Sequence, residues 1–527
     1  MRIISFSPFG YEGALVTVEV DLRRGIPAVD LVGLADNAVK EARERMRAAI
    51  RNSGFEFPPE RVLISLSPAD VKKEGAGFDL AIALGVLAAS NVFDTEETGL
   101  ENKMPGILVI GELELSGRVR PVRGVHAAVS TAVENGCRFC IVPEENVAEA
   151  DVFPEMHVTA VGSLAQAFHE YQRICGEAAE EYAVEQLCHS PRESTPVVEE
   201  DVAFPAITPE TDFAYVTGQK VLVRALQIAA AGQHNLMTYG PPGCGKTLAI
   251  QRYASLLPLL TVEEARSVTR IYSLAGLMQP DEKLIRERPF RMPHQGASIE
   301  GMIGGGINCR PGEISLAHNG VLFLDEAAEF RSTVLQSLRV PLENGTVTLS
   351  RAGRHTVFPA DFQLLIATNP CPCGNFGSED RICLCSAHAV EMYWKKFSAP
   401  LLDRIDLRVP VQNPPAGDDR PSGKPVSSAE LRKDIARAVS TQRKRQSKWN
   451  SQLTPEEILF YCKLDEEGRR YLSDATERYG FSTRAVHSSI KVARTIADMA
   501  GSLAIRQSDL EEAVSLRKSD GPLDYCL

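Results

Sequence analysis

No run of apolar residues in this sequence is long enough to span a bilayer. The longest covers residues 80–89, against the roughly 20 residues of a membrane helix. The opening MRIISFSPFG has no basic segment followed by an apolar core, so no secretory leader is visible and no membrane partner is expected. Positive charge is in deficit too: 57 Lys and Arg face 69 Asp and Glu, a formal charge of −12. That argues against a uniformly basic nucleic-acid coat but leaves room for a local basic channel. Twelve cysteines without a leader read as reduced thiols or metal ligands rather than a disulfide scaffold, and the expected compartment is the cytoplasm. The remaining composition is that of an ordinary globular chain, long enough for about three or four domains.

What is present centres on Gly240-Pro241-Pro242-Gly243-Cys244-Gly245-Lys246-Thr247, set between a strand-like run (236–239) and a helix-like run (248–257). The spacing G-x-x-x-x-G-K-T in that setting is a phosphate-binding loop. Its glycines let backbone N–H groups turn around a polyphosphate, Lys246 is expected at the β/γ-phosphates and Thr247 at Mg²⁺. Downstream, the apolar strand Val321-Leu322-Phe323-Leu324 ends in Asp325 and Glu326. Asp325 is expected to share the Mg²⁺ with Thr247, and Glu326 to polarise the attacking water. A third strand, 364–368, ends at Asn369, which suits a sensor between the carboxylates and the γ-phosphate. Arg404 follows; it is placed either to enter a neighbouring subunit's site or to form a surface salt bridge. Together these predict an α/β core with a parallel sheet, binding ATP and Mg²⁺.

Residues 1–165 alternate strands and helices in one α+β unit. Pro68-Ala69-Asp70-Val71-Lys72-Lys73-Glu74-Gly75 and Arg118-Val119-Arg120-Pro121-Val122 resemble segments of the Lon proteolytic domain. The positions of the Lon nucleophile and lysine read Gly75-Ala76-Gly77-Phe78-Asp79 and Arg123-Gly124-Val125-His126. Neither a serine nor the lysine is there, and a dyad that acts as a unit is lost with both members. This predicts a non-proteolytic relative in which His126 is a surface or packing residue. Cys137 and Cys140 read as ordinary buried thiols. The acidic, Ser/Pro-containing stretch 166–210 reads as a linker, residues 211–412 as the ATPase core, 413–425 as a second linker and 426–527 as a helical lid.

Arg288-Pro289-Phe290-Arg291-Met292-Pro293-His294, Gly304-Gly305-Gly306 and the stretch from Arg310 to Gly320 resemble the ComM/YifB group of magnesium-chelatase-like AAA+ ATPases. The resemblance covers nearly the whole chain, because that group carries a Lon-like domain before its ATPase and a helical lid after it. It departs at Met292-Pro293-His294-Gln295-Gly296, where the group has a second histidine. The resemblance implies a homo-hexamer, formed with ATP, that translocates on single-stranded or branched DNA and drives branch migration in recombination. It implies a sensor role for Arg484 at the start of a lid helix, with a plain surface arginine as the alternative. An ATPase remodelling a protein partner, as in magnesium chelatase, is the competing reading.

Residues 346–350 and 355–358 flank Arg351-Ala352-Gly353-Arg354, a hairpin with a basic tip. Six copies of Arg351 and Arg354 would line a pore with guanidinium groups, or the tip is simply a solvated turn. Cys371, Cys373, Cys383 and Cys385 form two close pairs. They fit either one tetrahedral Zn²⁺ or four reduced thiols in a loop. The basic helix within 428–448 faces DNA or solvent, with solvent preferred, and Ser508-Asp509-Leu510-Glu511 reads as a capping box.

Overall fold

The computed structural model describes residues 2–518 apart from 9, 12, 33–36, 69–72, 74–75, 91–105, 178–196, 217, 280–281, 307–308, 352–353, 378–380 and 413–425. Most of the first Lon-like stretch, 69–75, and the second linker therefore lie outside the described residues. Near the N-terminus, Ala14–Arg23 alternates buried and half-exposed side chains, and Val16 and Val18 enter the core. It sits in a seven-stranded mixed sheet ordered 29–32, 61–67, 14–23, 2–7, 107–109, 139–143, 157–161. Helices Asn37–Asn52, Asp79–Ser90 and Leu164–Glu177 cover one face through Ala42, Met46, Leu84 and Phe168. Helix Val125–Glu134 covers the other, with Phe153 and Met156. His126 is buried there against Phe153, at 4.9 Å between ring centres, so it is a packing residue and not a surface one.

The ATPase core is a five-stranded parallel sheet ordered 290–291, 321–324, 363–368, 236–239, 407–410. Every residue of Leu236–Tyr239, Val321–Leu324 and Gln363–Thr368 is buried. Uninterrupted apolar strands of this kind belong to parallel sheets covered on both faces. Tyr239 pairs with Thr368 and with Pro410, and Leu324 with Ile366. This register brings Gly240, Asp325 and Asn369 to one edge, beyond the carboxyl ends of the strands, where such sheets bind ligands.

The stretch expected as a linker, 166–210, is structured at both ends. Leu164–Glu177 is a helix whose Ala167, Phe168, Tyr171 and Ile174 bury in the N-terminal core, and Val197–Glu199 pairs with Val202–Phe204. The acidic run after Cys175 hid the three- and four-residue spacing of those apolar positions. In the lid, Ser428–Gln446 packs Ile435, Ala436 and Val439 into one core with Leu226 and Ile228 of the helix Lys220–Gly232. Its basic residues are split between surface and interior: Lys433 and Lys444 are exposed. Arg432 is fully buried, donating to the Ser255 carbonyl and stacking on Phe204. Arg445 pairs with the buried Asp498 at 2.7 Å. The last helix starts at Gln507, one residue before the expected cap; the Asp509 carboxylate accepts from the Arg506 N–H. No helix among the described residues is long and apolar enough to cross a membrane.

Candidate functional site

The phosphate loop joins the strand Leu236–Tyr239 to the helix Lys246–Gln251. Gly243 and Gly245 hold φ of 83° and 86°, a left-handed backbone that glycine adopts without a side-chain clash. Gly240 sits so close to the strand 407–410 that a Cβ would meet the Val411 carbonyl oxygen at 2.1 Å. Lys246 is buried, and its Nζ donates to the Gly240 and Pro241 carbonyls at 2.7 and 2.9 Å. Pro242 through Leu248, with Asp325, Glu326, Thr368 and Asn369, lines a cavity of about 310 Å³. Gly240 and Pro241 lie behind it as acceptors for the lysine.

Thr247 Oγ1 donates to Asp325 Oδ1 and Oδ2 at 3.2 and 3.0 Å. A hydroxyl and a carboxylate at the mouth of a phosphate loop are hard oxygen donors suited to Mg²⁺ with a polyphosphate. Glu326 adopts φ 47°, ψ 46°, a left-handed conformation unusual for a side-chain-bearing residue and one that strain concentrates at functional sites. Its backbone N–H donates to Asp325 Oδ1 at 2.9 Å, and its carboxylate accepts from Gln295 Nε2 at 2.5 Å. Gln295 had no assigned role in the sequence. The signal was the departure at Met292–Gly296, where it stands at a histidine's place, but its partner lies 31 residues away.

Arg404 and Arg484 do not line this cavity. Arg404 donates to the Pro400 carbonyl at 2.6 Å and to Glu343; Arg484 reaches the other oxygen of Glu343 at 3.0 Å. One exposed carboxylate thus gathers the two guanidinium groups, and Arg404 beside it holds the Glu343 pKa below the usual value, with Arg484 adding to the effect. Arg484 therefore lies on Glu343 and outside the lining of its own chain's cavity. Glu343 carried no sequence signal, since its partners lie 61 and 141 residues away. The segment bearing Arg404 is fixed from the lid: Arg517, buried, donates to the carbonyls of Ile405 and Asp403 at 2.6 and 3.2 Å.

The hairpin Thr346–Arg351 and Arg354–Pro359 is paired as expected, with Arg351 opposite Arg354 and Val347 and Phe358 buried at its base. The sulfurs of Cys371, Cys373, Cys383 and Cys385 converge within 4.8 Å of one another. Cys137 and Cys140 are both buried and free.

Comparison with known proteins is consistent across the chain. Models described as magnesium chelatase, subunit ChlI match residues 212–418, subunit ChlI of Mg-chelatase residues 18–146, and the ChlI C-terminal segment residues 425–517. The YifB protein of Salmonella typhimurium is 39% identical over 513 residues, 97% of this chain and 96% of its own. The competence protein ComM of Haemophilus influenzae is 38% identical over 519 residues, 98% and 97% of the two chains. The chain belongs to the ComM/YifB family of magnesium-chelatase-like AAA+ ATPases. Lon protease 2 of Bacillus subtilis matches at 30% identity over 190 residues, 30% of this chain and 33% of that protein. Membership in this AAA+ ATPase family implies ATP and Mg²⁺ as cofactors.

Proposed function

We propose that six copies of this chain form a cytoplasmic ring that hydrolyses ATP at its seams. The ring moves along single-stranded or branched DNA and drives branch migration in recombination of incoming single strands. The observation that carries the reading is the pair Arg404 and Arg484, gathered on Glu343 away from their own chain's phosphate cavity. Two guanidinium groups at an exposed carboxylate are suited to a neighbour's γ-phosphate, where transition-state charge develops. Lys246 and Thr247 hold the nucleotide, Asp325 and Thr247 hold Mg²⁺, Glu326 orients water and Asn369 reads the γ-phosphate. The basic hairpin tip supplies phosphate contacts in the pore. One Zn²⁺ per chain at the four cysteines belongs to the same reading.

ATP-dependent unwinding of a synthetic three- or four-stranded junction tests it, beside a Lys246→Ala control. Unwinding by the parent alone supports the motor; ATP turnover without DNA stimulation at moderate salt overturns it. The net charge of −12 favours the competing reading, a motor acting on a protein partner, and that second result would favour it further.

A further inference from the structure

After Asn369, Cys371 enters the ATPase core and Phe376, Cys383 and Cys385 pack half-buried against it, but the residues between the last two cysteines and beside them contribute little. Ile382 and Leu384 are 84% and 89% exposed, and residues 382–386 form neither helix nor strand. What gathers there is sulfur, with Cys371 buried, Cys383 and Cys385 half-buried and Cys373 exposed. Cys371 Sγ lies 3.3 Å from Cys373 Sγ and 3.7 Å from Cys383 Sγ, and Cys373 Sγ lies 3.6 Å from Cys383 Sγ. A zinc ion with four thiolates at about 2.3 Å sets its sulfurs about 3.8 Å apart, close to what these cysteines already show. The Phe376 N–H points to Cys371 Sγ at 3.4 Å, the kind of outer contact that steadies a metal-bound thiolate. Among the described residues this is the one group of His, Cys, Asp and Glu side chains identified as able to hold a metal.

The cluster abuts the catalytic machinery from behind. Cys371 follows Asn369 by two residues, and Gly374 packs on the phosphate loop so tightly that a Cβ there would stand 2.7 Å from Pro242 Cδ. From the other side Trp394 Nε1 donates to the Pro370 carbonyl at 3.0 Å. The residue after Asn369 is therefore tied to a tryptophan, and the sulfur knuckle that follows touches the phosphate loop through Gly374.

We propose that Cys371, Cys373, Cys383 and Cys385 bind one Zn²⁺ whose task is to seat Asn369 against the phosphate loop, so that metal occupancy governs ATP turnover. The role in turnover rests on the sensor function proposed above for Asn369; the metal site does not. Here the four cysteines are positioning residues, and no zinc-bound group reacts.

The experiment measures zinc by mass spectrometry in the purified full-length protein, then ATP turnover and ATP affinity before and after stripping with a chelator. The expected content is about one zinc per chain. Stripping should lower kcat about tenfold or more while KM for ATP moves less, and added Zn²⁺ should restore the rate. Cys383→Ser with Cys385→Ser should reproduce the stripped state. Cys373→His, which keeps a zinc ligand, should retain both metal and rate, separating ligation from simple damage to the loop. Substoichiometric zinc, with no tetrahedral cobalt–thiolate spectrum on Co²⁺ loading, would overturn the site. Full zinc with an unchanged rate after stripping would overturn its positioning role. A zinc-loaded parent that turns over no ATP would instead fail the ATPase assignment, while its metal content still scores the site.

Discussion

On the proposed reading Lys246 grips the phosphates and Glu326 orients water, so their variants should separate binding from chemistry. Lys246→Ala removes the one ammonium held by the loop and should abolish detectable binding of a fluorescent ATP analogue. Glu326→Gln keeps that ammonium and should bind ATP normally while losing about 100-fold or more in kcat, because an amide cannot act as a base. Equal binding loss in both variants would refute the division. A second residue-scale prediction concerns acid. Burial, with Arg270 and Arg266 nearby, pushes the His126 pKa down from 6.5 to about 3. The unfolded chain binds that proton near pH 6.5 and the folded chain does not, so falling pH costs stability throughout that window. The slope from this one residue approaches about 1.4 kcal/mol per pH unit. His318, lowered to about 4 by burial, adds a second contribution of the same sign. Buried Glu149 has a raised pKa and works in the opposite sense, so the clean measurement is the difference between parent and His126→Leu in urea melts from pH 7 to 4. The variant should lose part of the acid slope; parallel curves would contradict the assignment. Residues acting through local sequence were legible, the phosphate loop above all, since its partners are its own neighbours. Gln295 and Glu343 were not, because their meaning comes from residues that the fold alone brings close.

Strands that end in functional residues were legible as elements because a fully apolar run followed by a polar residue is itself the signature of a covered parallel strand. The order of those strands was not, since nothing in 236–239 says that it lies between 363–368 and 407–410. Composition misled at Leu164–Glu177, where acidic neighbours outweighed a helical spacing, and at 428–446, where positive charge suggested a solvated face but Arg432 is an internal strut. The basic hairpin permits a test that leaves the fold alone. Its base is anchored by Val347, Leu349 and Phe358, and Tyr11 of the N-terminal domain donates its N–H to Thr356 Oγ1 at 3.2 Å. Arg351→Ala with Arg354→Ala changes only the tip. DNA affinity should fall and the salt dependence of binding should flatten by about one to two counterions per engaged chain, with ATP turnover in the absence of DNA unchanged. Anisotropy titrations across a salt series read both quantities; an unchanged salt slope would remove the hairpin from the DNA path.

For the molecule as a whole, the proposed motor turns on a catalytic set divided between neighbouring chains. The cavity holds Lys246, Thr247, Asp325, Glu326 and Asn369, while Arg404 and Arg484 wait on Glu343. If those arginines serve the next subunit, two inactive variants should repair each other. Arg404→Ala keeps a sound phosphate cavity and lacks the donated cation; Glu326→Gln keeps the cation and lacks the base. In an equal, freely exchanged mixture, half of the cavities have an intact Glu326 and half of those adjoin an intact Arg404. About a quarter of the parental turnover should therefore return, although each variant alone is nearly inert. A mixture of Arg404→Ala with the double variant Arg404→Ala, Glu326→Gln supplies no donor and should recover nothing. Were Arg404 to act within its own chain, the first mixture would be as inactive as the second, because no subunit in it carries both groups.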